Sequence, residues 1–174
     1  MNSLKNMLRM FACLLLLVAV TGCHPSATEK QDILDGMAFA QDNLPITGDM
    51  NGTYLNFTNS GEFIRRSKYF KAGADYRALE IMVQILENVK SSNARTAADA
   101  ANTTLDDTTR TQIAKDTADG LKEITNLCDL TWTSFNSDLK DISMTPTAFA
   151  KVVGSDDLPA LMASNPYKDS SSSQ

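Results

Sequence analysis

The chain has 174 residues, with 16 basic and 21 acidic side chains, one histidine, three cysteines and a formal net charge of −5. That acidic balance argues against nucleic acid as a partner. The sole histidine is His24, so Ser-His-Asp, Cys-His and histidine-bearing metal sites are excluded downstream of it, and phosphate-cradling glycine loops are absent.

Lys5 and Arg9 form a short positive region, and no acid precedes Glu29. Phe11 to Val20 then supply about ten mostly apolar residues, a signal-peptide core rather than the roughly 20 needed to span a bilayer. The core ends in Val20-Thr21-Gly22-Cys23. These residues resemble the lipobox of bacterial lipoproteins. The resemblance implies cleavage after Gly22 and a covalent N-acyl diglyceride on Cys23, the first mature residue. It covers residues 1–23 only, and no family is recognised for the remainder. In enteric-type lipoproteins an Asp after the lipidated cysteine retains the protein in the inner membrane. His24 at that position implies the outer membrane, facing the periplasm. A triacylated cysteine exceeds the two chains needed for stable anchoring, so the mature domain requires no membrane helix. An ordinary secretory signal with a coincidental cysteine is the alternative.

From Cys23 onward the chain has 152 residues, 14 basic and 21 acidic, with a net charge of −7. The expected organisation is a signal peptide over 1–22, a lipidated tether over 23–28, a single helical domain over 29–166 and a disordered Ser-rich tail over 167–174. One core is affordable at this length. Cys13 leaves with the leader and Cys23 carries lipid, so Cys128 has no intramolecular partner. It is read as a buried thiol, with an intermolecular disulfide as the alternative.

Ser26 followed by Glu29 has the spacing of a capping box and opens a helix through Ile33, Leu34, Met37 and Ala38 to about Asn43. Leu44-Pro45 ends it. Residues 45–61 carry turn signals at Gly48, Asn51-Gly52 and Asn59-Ser60-Gly61. Between them Thr53 to Phe57 alternates, giving either a short extended segment near 53–57 or a packed loop. Asp49-x-Asn51 lacks the glycine and glutamate offsets of a calcium loop, so no metal is expected. Glu62 to Lys71 predicts a short helix, Gly73 a break, and Asp75 the cap of a stronger helix to about Lys90 with Tyr76, Leu79, Val83 and Leu86 on one stripe. Ser91 to Thr103 is a connection or a loosely helical lead-in. From Thr104 to Ile142 the periodicity predicts one helix of nearly 40 residues, or two collinear helices meeting near Gly120. Thr145-Pro146 starts another helix, with Gly154 at its end. A last short helix holds Leu158, Leu161 and Met162 before Asn165-Pro166. The fold class is therefore all-α, an irregular bundle of about five helices with one long helix.

Two constellations are candidates for partner binding. Arg65, Arg66, Lys68 and Lys71 fall within seven residues of an acidic chain. On one helix Arg65, Lys68 and Lys71 form a basic stripe suited to an acidic segment or to membrane phosphates, and otherwise a solvated face. Trp132 and Phe135, with Leu127 and Phe149, either line a groove for an amphipathic helix or serve the core. The paired acids Asp106-Asp107 and Asp156-Asp157 sit at predicted helix starts, where they favour the helix dipole. No nucleophile–base set emerges, so no enzyme activity, metal or dissociable cofactor is expected. The leading expectation is a non-enzymatic accessory lipoprotein for an unidentified protein partner in an envelope assembly or secretion system. A surface-exposed or structural lipoprotein with an exclusion, immunity or host-contact role comes second, and a small carboxylate-based hydrolase third.

Overall fold

A computed structural model describes residues 25–44, 50–102 and 105–168. The expected leader and lipobox-like cysteine, the Gly48 turn, the Asp49 position and the end of the Ser-rich tail lie outside the described residues. Seven helices account for most of the remainder: α1 Ala27–Asn43, α2 Met50–Thr58, α3 Gly61–Arg65, α4 Lys68–Asn102, α5 Asp107–Asp141, α6 Pro146–Val153 and α7 Leu158–Ala163. No strand occurs among the described residues, and no described helix is long and apolar enough to cross a membrane. The all-α class holds, and among the described residues there are two long helices rather than one and seven helices rather than about five.

The caps explain most boundaries. Ser26 accepts from the Glu29 amide while the Glu29 carboxylate accepts from the Ser26 amide, so the capping box is formed. Ser60 caps α3 through the Phe63 amide, and Ser67 caps α4 through the Phe70 amide. The continuous helix expected over 62–71 is therefore broken at Arg66-Ser67. Thr145 and Pro146 open α6, and Gly154 closes it in the left-handed region at φ 73°.

The α4–α5 hairpin is the spine. Each helix has 35 residues, about 52 Å at 1.5 Å per residue. The two run antiparallel: Lys68 Nζ donates to Asp141 O and Asn93 Nδ2 donates to Thr117 O. On one side, α1 to α3 pack around Phe39, Phe57, Phe63, Phe70 and Met82. On the other, α6 and α7 pack around Tyr76, Leu79, Phe135, Phe149 and Leu158. Tyr76, Phe135 and Phe149 meet with ring centroids 5.1–5.6 Å apart, in tilted or edge-on geometry.

Three local expectations are overturned. The segment 53–57 is helical, because Tyr54 and Phe57 share the inner face of α2 at a three-residue step. Gly73 does not break α4. It lies where α1 crosses, paired with Gly36: a Cβ on Gly73 would stand 1.9 Å from Ile33 O, and one on Gly36 2.0 Å from Phe70 O. The two backbones touch, and only hydrogen fits there. Finally, Asp75 caps nothing. It lies mid-helix and is 2 % exposed. Helix α5 also passes straight through Gly120.

Candidate functional site

Two acids enter the core from the spine helices. Asp75 falls on the apolar stripe Ala72, Leu79, Met82, Leu86 of α4, and Asp138 lies one turn from Phe135 and Ile142 on α5. The antiparallel register brings them together with Ser134, Thr131, Tyr54 and Lys71. The Ser134 hydroxyl donates to Asp75 Oδ2 in a short bond. That leaves Asp75 Oδ1 and Asp138 Oδ2 buried with no donor from any other group. Two carboxylates facing each other, Asp75 buried and Asp138 partly buried, repel, and one retained proton between them removes both the repulsion and the orphan oxygens. Burial, then the Asp75 charge, pushes Asp138 up to about 8, opposed by Lys71. Asp138 thus keeps its proton and donates it to Asp75. Burial and the same charge push the Tyr54 phenol up as well.

This pair is one proton-sharing bond across the α4–α5 seam. None of the described cavities is lined by Asp75 or Asp138. No cluster of three metal-ligating side chains occurs among the described residues. The arrangement can clamp two helices and can titrate.

The basic residues take different places. Arg65 ends α3 and Lys68 begins α4, so the expected stripe along one helix does not form. Arg65 Nε donates to Gly61 O, and Arg66 pairs with Glu62 at 2.9 Å while lying over the Phe70 ring. Lys68 caps the carboxyl end of α5 at Asp141 O, and Lys71 Nζ lies over the Phe63 ring. Arg65, Arg66 and Lys68 are exposed, with Ile64 beside them at 56 % exposure. The first turn of α1 lies against the same end. The Ser67 hydroxyl donates to Asp32, and Glu29 is held below the usual carboxylate range by Tyr69 first and then by Ser26.

Of the aromatic set, Leu127, Phe135 and Phe149 are buried and fill the core. Trp132 is partly buried and its indole N–H donates to Leu161 O at 3.1 Å, fixing α7 to α5. The open groove on that face lies beside them instead. It has about 310 Å³, a floor of Leu79, Val83, Leu158 and Leu161, and a rim of Glu80, Glu87 and Asp157. Glu80 and Glu87 are paired with Arg77 and Lys90 at 2.8 Å each. Cys128 is buried and free, and burial pushes its thiol up to about 12.

Beyond Leu86 and before Ile124 no described side chain is buried. The far ends of α4 and α5 therefore leave the body as a bare two-helix arm of about 20 Å, taken at 1.5 Å per residue. Its inner seam is made of small groups, Asn93, Ala97, Ala100, Ala114 and Thr117 with Ile113, around a cavity of about 310 Å³. No family model, curated protein or solved structure matches the chain.

Sequence reasoning missed the Asp75–Asp138 pair. The available signal was an acid at a stripe position of each long helix, where the period demands an apolar side chain.

Proposed function

We propose that the protein is a lipid-anchored envelope protein of the outer membrane, facing the periplasm, that works without catalysis by presenting its helical arm to a protein partner in an envelope assembly or secretion system. The lipobox-like Val20 to Cys23 supplies the anchor in this proposal. Cys23 stands three residues before Ser26, a reach of about 10 Å at most. The tether therefore leaves from the end of the body where Ser67 and Lys68 begin α4.

The observation that carries the proposal is the opposition of tether and arm. The tether leads into α1, whose first turns lie beside the start of α4, and α4 ends about 50 Å from there by its rise per residue, in the arm. A body whose core is complete without the arm gains little stability from extending it. Two helices sharing a small-residue seam bury little apolar surface, so the extension serves reach rather than folding.

The test excises the arm by replacing residues 92–118 with a short Gly-Ser turn and compares cross-linked co-purification from membranes. The excised protein should fractionate with membranes and melt cooperatively, yet lose the partner captured by the parent. Retention of the same partner by the excised protein would contradict the proposal. Cys23→Ser should release the protein from the membrane fraction. Unchanged fractionation would contradict the anchor.

A further inference from the structure

The end of the body nearest Cys23 differs chemically from the rest of an acidic chain. Ile64 is 56 % exposed there, one of three large apolar side chains so exposed among the described residues. Arg65, Arg66 and Lys68 follow it in sequence and are exposed. Three acids at this end are engaged, while Asp141 is exposed beside Lys68, which donates to its backbone carbonyl. Glu62 pairs with Arg66, Asp32 accepts from Ser67, and Glu29 accepts from the Ser26 amide and faces Tyr69. A guanidinium has five N–H donors. Arg65 spends one of them on Gly61 O, and the Glu62 contact uses one of Arg66.

We propose that Ile64, Arg65, Arg66 and Lys68 form a contact surface for anionic bilayer headgroups, so that the tethered domain stands on the membrane with α4 pointing away from it. The inference rests on lipid attachment at Cys23. Three chain steps from Cys23 to Ser26 hold this end within about 10 Å of the bilayer, comparable with the screening length of roughly 8 Å at physiological salt. Cations there meet lipid phosphates, and the branched Ile64 side chain enters the boundary between headgroups and acyl chains. One acyl anchor fixes position only. A second contact fixes orientation, and orientation is what places the arm away from the membrane.

The test uses the full lipidated protein, purified from membranes and reconstituted into vesicles of equimolar phosphatidylethanolamine and phosphatidylglycerol. A polarity-sensitive dye is attached after Ile64→Cys, and in a second sample after Ala98→Cys on the arm, both with Cys128→Ala. Co-flotation with vesicles is scored first. With the protein floating, the dye at position 64 should be blue-shifted and quenched several-fold more strongly by brominated acyl chains than the dye at position 98. Arg65→Gln with Arg66→Gln should weaken that quenching, as should vesicles of phosphatidylcholine alone, while flotation is unchanged. Equal quenching at 64 and 98 in floating protein would overturn the contact surface and leave the anchor standing. Failure to float would overturn the anchor, and the orientation with it.

Discussion

Replacing Asp138 by asparagine should flatten the dependence of stability on pH between about 5 and 8, the window set by its raised pKa. In the folded protein Asp138 holds its proton to about 8, against 3.8 for an ordinary aspartate. Between those values the folded chain binds one more proton than the unfolded chain. The associated stability is fully present below 3.8 and is lost as the pH rises through 8. Each pH unit inside the window is worth up to about 1.4 kcal/mol. Partial solvent access and the nearby Lys71 reduce this, so the loss from pH 5 to pH 7 should be about 2 kcal/mol. Asparagine keeps the shape and a donor to Asp75 but cannot ionise. Urea unfolding followed by circular dichroism at pH 5, 6, 7 and 8 would measure both proteins. The parent should weaken steadily, and Asp138→Asn should weaken less steeply, because burial still raises Asp75, and become the more stable protein at pH 8. Glu29 and Asp106, whose pKa values are lowered, act in the opposite direction but only below about 4.5, outside this window. Equal slopes for parent and variant would refute the shared proton.

The glycines separate close approach from open space. Gly73→Ala or Gly36→Ala must push α1 off α4 and should cost more than about 3 kcal/mol or abolish folding. Gly120→Ala, with nothing within 4 Å of the added carbon, should raise stability by up to about 1 kcal/mol in thermal melts. Cys128 should resist maleimide in the native protein and react within the unfolding transition. Rapid native labelling would mean the α5 face opens. Trp132→Phe removes the donor to Leu161 O and should loosen α7, read as earlier proteolysis after residue 154 with a loss of about 1 kcal/mol.

Side chains that act on their own neighbours were legible in the sequence. Ser26 with Glu29, Thr145 with Pro146, and Gly154 each satisfy backbone groups within a few residues, so spacing alone placed those boundaries. Gly73 was opaque because its reason lies 37 residues away, at the Gly36 contact, and a lone glycine inside a helical pattern otherwise reads as a break. That reading carried Asp75 into the role of a cap. With α4 taken as continuous, Asp75 falls on the buried stripe and demands a partner, which only the register of α5 supplies. The segment 50–58 was missed because Thr53, Leu55 and Phe57 alternate while Tyr54 and Phe57 step by three. In so short a stretch, contact with Phe39 and Phe63 decides between the two patterns. The basic cluster was legible as composition but not as a surface, since Ser67 caps a new helix in its midst and sends Lys68 to the carboxyl end of α5. The arm was half visible: its alanines and threonines read as weak helix, and their lack of anything to pack against became clear only from the fold.

The opposition of tether and arm is tested most directly by photo-crosslinking in intact envelopes. A photoreactive residue is placed singly at Ala98 or Lys115 on the arm and at Lys151 on the body, all exposed. The proposed function predicts the same discrete protein adduct from Ala98 and Lys115 and none from Lys151, lost when Cys23 is replaced by Ser. Adducts from Lys151 alone, or no adduct from either arm position in membrane-anchored protein, would contradict it.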